Sequence, residues 1–159
     1  MSDNMRKYSL IIAKIMLLCL IVGTVVFIFR RSTLPPEEST KESNIVGEII
    51  EEIFPPETPV GGYVQKNLRK LAHFTEFFVL GLEVALYVSL FIRKKLAVLL
   101  SVPFGFIVGL CDETIQIFSG RGPSIFDVLI DFSGFLCAQI IIYTIAIIIT
   151  VINTKCKQK

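Results

Sequence analysis

The chain has 159 residues, of which 53% are hydrophobic and only 19% charged, and its mean hydropathy is +0.68. Soluble domains carry about 25% charged residues, so the composition excludes an ordinary soluble domain and places the chain among membrane proteins. The formal net charge of +2 averages over separate acidic and basic patches. No phosphate-binding glycine loop, soluble-cofactor motif or nucleic-acid signature is present.

The first apolar run extends from Leu10 to Phe29 and is broken only by Lys14. About 20 residues cross a hydrocarbon core, whereas a cleavable signal has about 7–15 apolar residues and a small-residue cleavage site. The run ends instead on Arg30-Arg31, which predicts a retained transmembrane anchor helix over 1–31. Residues 32–67 are an acidic loop punctuated by Pro35-Pro36, Pro55-Pro56, Pro59 and Gly61-Gly62. Within it Ile45, Val46, Ile49, Ile50, Ile53 and Phe54 recur at helical spacing. Ser43 or Asn44 can cap that helix and Pro55 can stop it. This predicts a short amphipathic helix lying on the membrane surface or on the bundle.

Three further spans are predicted over 71–92, 96–118 and 126–152, so that 68–152 forms a three-helix membrane core and 153–159 a basic tail. The fold class expected is an all-α membrane protein: four transmembrane helices plus a short amphipathic helix in the first extracytoplasmic loop. Arg93-Lys94-Lys95 and the tail Lys155, Lys157 and Lys159 share one membrane side. The excess of basic residues in cytoplasmic segments then predicts both termini in the cytoplasm, although Arg30-Arg31 and Arg69-Lys70 flank the opposite loop. Cys19, Cys111, Cys137 and Cys156 have neither metal-ligand nor disulfide spacing. Cys19 and Cys137 read as small hydrophobes within apolar runs.

The ionisable residues within the spans gather at the ends that share one membrane face. His73 and Glu76 open the second span, Asp112, Glu113 and Gln116 close the third, Arg121 follows it, and Asp127 and Asp131 open the fourth. His73 and Glu76 lie on one helical stripe that runs on to Glu83 near the bilayer middle. Gly105 and Gly109 lie below the acids of the third span, and Gly134 and Ala138 below those of the fourth. Such small residues allow close helix approach. Three helices are thus expected to converge beneath a polar cup.

A charged residue at a helix centre costs about 2.5–3.5 kcal/mol on insertion scales, and carboxylates at close range cannot all ionise without protons or cations. A cationic ligand, a metal ion or shared protons would satisfy the cup. Simpler readings stand beside these. His73 and Glu76 can pair as interhelical glue, Asp112-Glu113 can be a solvated helix end, and Arg121 can salt-bridge an aspartate. One histidine among carboxylates is a weak zinc set, and the carboxylates lack a recognised hard-cation spacing. A divalent cation therefore stays an open option.

The series Arg69-Lys70-Leu71-Ala72-His73-Phe74-x-Glu76-Phe77, Asp112-Glu113-x-x-Gln116-x-Phe118-x-x-Arg121 and Asp127-Val128-x-x-Asp131-x-x-Gly134 resembles the motifs of the VanZ-like family. The resemblance covers about Lys66 to Ala138. Phe77 stands where the family often has tyrosine, and Ala138 where a second glycine is common. The resemblance implies a bacterial integral membrane protein, and the family's namesake is associated with lowered susceptibility to the glycopeptide teicoplanin; no reaction is implied.

The function expected is modulation of the cell envelope through an outward-facing polar site in the bacterial plasma membrane, lowering teicoplanin-type binding. Partners would be the lipid bilayer and lipid-linked or anionic envelope components. Arg121 and His73 would contact phosphate or another anionic group, with Arg69, Lys70, Gln116, Asp127 and Asp131 as further binding residues. Two alternatives come from other classes. A membrane enzyme on a lipid-linked substrate would use Glu76 or Asp112 as general base and His73 as general acid, with Glu113 as a further candidate. A structural or regulatory partner of envelope machinery would dock through the acidic loop helix.

Overall fold

The computed structural model describes residues 3–91, 94–122 and 124–157. Arg93 and Lys159 of the basic segments, and the side chains of Ser43, Lys94, Lys95 and Lys157, lie outside what is described. The elements in chain order are α1 (Asp3–Ser32), α2 (Pro36–Ile53), α3 (Pro59–Lys66), α4 (Leu68–Ser89), α5 (Lys94–Phe118) and α6 (Ile125–Lys157), with no strand among the described residues. Four stretches are long and apolar enough to cross a membrane: Asn4–Ser32, Leu68–Ser89, Val98–Phe118 and Ile125–Cys156. The protein is therefore an all-α, multi-pass membrane protein in contact with lipid. A helix satisfies its own backbone groups, which lipid cannot do. The 33 residues of α6 run to about 50 Å, longer than the roughly 30 Å hydrocarbon core. Its last turns, carrying Lys155, therefore project past the core or tilt within it.

α4 occupies the middle of the bundle, packed along α6 and flanked by α1 and α5. Phe77, Leu80 and Val84 of α4 meet Phe135 of α6, Val108 of α5 and Ile21 and Ile28 of α1 in the core. Small residues set how near the helices come. The missing Cβ of Gly134 faces the Phe74 carbonyl of α4, and the Phe135 ring lies on Gly105. A Cβ at Gly109 would stand 3.6 Å from that of Asp131. The expected small-residue approach is thus realised at the level just below the acids.

α2 is longer than its apolar pattern predicts. It starts at Pro36, with Pro35 at the cap position and no side-chain cap bond, instead of at Ser43 or Asn44. Proline at the first helical position has no hydrogen bond to lose, and Glu37 and Glu38 in the first turn favour the positive helix end. The helix ends at Ile53, ahead of Pro55, as the sequence predicts. The sequence reading takes Pro59 and Gly61-Gly62 as loop, yet they lie in α3. Thr58 caps that helix, its Oγ1 accepting from the Gly61 N–H at 3.0 Å. Gly61 seats against the Pro55 carbonyl, where no side chain would fit.

Candidate functional site

All four long helices bring a polar end to one face. The lower layer of the cup joins α4, α5 and α6. His73 Nδ1 lies 3.4 Å from Asp131 Oδ1 and 3.8 Å from Asp112 Oδ2. Asp112 and Asp131 are fully buried. Asp112 is well held: Ser32 Oγ of α1 donates to Oδ1, and Gln116 Nε2 donates to Oδ2 at 2.7 Å. Asp131 is not. Neither of its carboxylate oxygens has a hydrogen-bond partner, and nor does His73 Nδ1.

Beside this layer, Glu76 of α4 pairs with Arg31 of α1. His73 and Glu76 therefore do not pair with each other; each looks to a different helix. Glu113 turns toward the start of α6, where its Oε1 accepts from the Ser124 N–H at 2.5 Å. Both Asp112 and Glu113 are buried, which rules out a solvated helix end. Deeper in the bundle, Thr24 Oγ1 of α1 donates to Glu83 Oε1 at 2.9 Å.

Above the acids is a cationic layer. Arg69 Nη2 donates to Gln116 Oε1 at 2.8 Å, and Arg121 Nη1 reaches the same oxygen at 3.5 Å. Arg121 makes no salt bridge to an aspartate among the described residues. Its Nη2 donates instead to the Leu34 carbonyl at 2.9 Å and the Arg31 carbonyl at 3.4 Å, which ties the α5–α6 turn to the end of α1. That turn leaves α5 through Gly120, whose φ of +79° suits glycine. Burial, and then the positive charge of Arg69, lowers the Arg121 pKa below its ordinary value, and Asp112 opposes the shift. A guanidinium remains charged through such a change.

Arg31, Arg69 and Arg121 line one narrow space with His73 and Glu76. Arg69 and Arg121 also floor a cleft of about 610 Å³ beneath α2, whose walls include Glu48, Glu51, Gln65 and Lys66. Ligand pockets run to about 300–1,000 Å³, so the cleft has room for a headgroup. Lys70 and Asp127 lie to one side, on a separate 170 Å³ space that reaches His73.

The structure thus gathers His73, Glu76, Asp112, Gln116, Asp131, Arg69 and Arg121 in one place, with Glu113, Lys70 and Asp127 at its edges. Sequence reasoning missed Arg31 and Ser32, using Arg30-Arg31 only for topology and treating α1 as an anchor. The signal was available: α1 must end on the face where α4 begins, so its last turn has to meet the polar cup. No curated protein and no solved structure matches the chain. The family model described as VanZ/LLP1 matches residues 15–149, which takes in most of α1 and the acidic loop as well as the three motif-bearing spans. The chain belongs to the VanZ/LLP1 family.

Proposed function

We propose that the protein is a bacterial plasma-membrane protein that modulates the cell envelope by binding the anionic headgroup of a surface lipid or lipid-linked component in its outward-facing cup, lowering teicoplanin-type susceptibility. The observation that carries this reading is the arginine pair. Arg69 and Arg121, which line an open cleft, share one neutral amide oxygen, that of the buried Gln116. Neither forms an ion pair with a carboxylate among the described residues. Two like charges directed at one neutral oxygen gain from an anion set between them, and guanidinium forks match phosphate oxygens. The buried acids below would accept hydroxyl donors of the same headgroup.

The enzyme reading has one observation of its own, the buried His73–Asp131 contact. Glu76 and Asp112 already have partners, so Asp131 suits the base role better than either of them.

The test is expression of wild type, Arg69→Gln, Arg121→Gln and Glu76→Gln at matched membrane levels in a susceptible bacterium. Teicoplanin susceptibility and surface binding of labelled drug are then measured. Wild type should lower both, and the two arginine variants should return both to the level of cells without the protein. If the wild type changes neither, or the arginine variants act as wild type does, the headgroup reading fails.

A further inference from the structure

We propose that His73, Asp112 and Asp131 hold one divalent transition-metal ion, zinc or manganese, at the floor of the cup. Three independent helices each deliver one donor there: His73 from α4, Asp112 from α5 and Asp131 from α6. One ligand atom from each lies within 4.8 Å of the others. The measured separations from His73 Nδ1, 3.4 Å to Asp131 and 3.8 Å to Asp112, approach the edges of a coordination tetrahedron. With bonds of about 2.0–2.2 Å those edges are about 3.3–3.6 Å, so the two His73 separations lie within a few tenths of an ångström of them, and the two carboxylates close from no more than 4.8 Å.

Acids gathered in a bundle do not by themselves make a metal site; the bare donors are the second observation. Asp131 is fully buried, yet its Oδ2 has no partner, and its Oδ1 has only the ion-pair contact with His73 Nδ1 at 3.4 Å, which falls short of hydrogen-bond geometry. Buried carboxylates are costly unless paired or metal-bound, and nearly every other acid in the layer is provided for. Glu76 has Arg31, Asp112 has Ser32 and Gln116, and Glu113 has the Ser124 N–H on one oxygen. At the floor, two carboxylates face a single imidazole, and a dication would balance them.

The surroundings are those of a metal ligand. Ser32 and Gln116 orient Asp112, and Arg69 in turn orients Gln116. Such outer hydrogen bonds fix ligating carboxylates in place. Gln116 uses one lone pair of Asp112 Oδ2 and leaves a second for the ion. One nitrogen with two carboxylates suits zinc or manganese better than magnesium or calcium, which prefer oxygen throughout. Three protein donors leave a coordination position open, as in catalytic rather than structural zinc sites. The 170 Å³ space beside His73, with Asp127 on its wall, offers a path for the ion. The inference concerns the floor of the cup and does not require a headgroup above it.

The experiment uses the full chain purified in detergent and stripped with a chelator. It is incubated with zinc or manganese chloride, desalted, and its metal content measured by mass spectrometry. Wild type and Glu57→Gln, a charge change in the exposed loop, should retain about one ion per chain. Asp131→Asn and His73→Gln should retain less than a tenth of that while keeping the helical circular dichroism and the elution volume of wild type. Should those variants misfold, manganese-loaded wild type still decides the matter. Its pulsed electron paramagnetic resonance must show nitrogen coupling from one imidazole, the sole histidine of the chain being His73. The proposal is overturned if wild type keeps no ion, if folded Asp131→Asn binds as wild type does, or if nitrogen coupling is absent. No envelope component is present in this measurement, so a negative result leaves the headgroup reading standing.

Discussion

At the scale of single residues, the cup depends on small side chains as much as on charged ones. Gly134 sits against the Phe74 carbonyl, one residue from His73 on α4 and one turn from Asp131 on α6. A methyl at that position must push α4 and α6 apart, because backbone cannot yield as a side-chain tip can. Overpacking of this kind costs about 1–3 kcal/mol. Gly134→Ala should therefore lower the unfolding temperature in detergent and weaken whatever the cup binds. Gly23→Ala on α1, where nothing lies within 4 Å, should keep or raise the unfolding temperature, because alanine favours a helix over glycine. Equal behaviour of the two variants would show that the α4–α6 approach does not set the geometry.

The same scale shows what a sequence can and cannot convey about such a site. His73, Asp112, Gln116 and Asp131 were legible because ionisable groups within apolar spans are expensive, and because three spans share an end. Their pairing was not legible. Helical spacing put His73 and Glu76 on one stripe, but an i, i+3 relation says nothing about the facing helices. α1 brings Arg31 to Glu76, and α6 brings Asp131 to His73. Arg121 illustrates the same gap, since its partners are main-chain carbonyls of Arg31 and Leu34, which carry no residue signature.

Among the elements, α2 is the one whose two faces have different company. Its polar face roofs the cleft over Arg69 and Arg121, and Gln65 of α3 donates to its Gly47 carbonyl at 3.2 Å. Its apolar face is left largely open, with Ile45 61%, Ile49 59% and Ile53 67% exposed. The apolar stripe was legible in the sequence. The start was not, because the proline pair reads as loop punctuation until Pro36 is seen at the first helical position. An exposed isoleucine row on a helix joined to the end of a membrane span is the pattern of an amphipathic helix that lies flat in the lipid interface, and spin-label accessibility tests that placement. In a cysteine-free background, a nitroxide at Ile49 should then collide more with dissolved oxygen than with a water-soluble nickel chelate. A nitroxide at Glu48, on the cleft side, should show the opposite order. Preference for the chelate at both positions would lift α2 off the membrane and leave its apolar face to a protein partner.

For the molecule as a whole, function depends on which side of the membrane the cup faces. The helix ends that build it are the end of α1, the start of α4, the end of α5 and the start of α6, so the cup and the acidic segment above it share one side. The α4–α5 turn and the C-terminal tail share the other. Basic residues favour the cytoplasm for the turn and tail, and the proposed function requires the same arrangement, with the cup turned outward. The arginines of the cup itself count against this arrangement. They are, however, engaged with Glu76, Gln116 and main-chain carbonyls, and basic residues committed to a fold say less about orientation than those of short connecting segments. The molecule carries its own probe in Cys156, exposed in the tail. With Cys19, Cys111 and Cys137 replaced, a membrane-impermeant maleimide applied to intact cells should label Glu57→Cys in the acidic segment. It should reach Cys156 only after the cells are permeabilised. The reverse pattern would turn the cup toward the cytoplasm, and binding of a surface headgroup would then be impossible however well the site is formed.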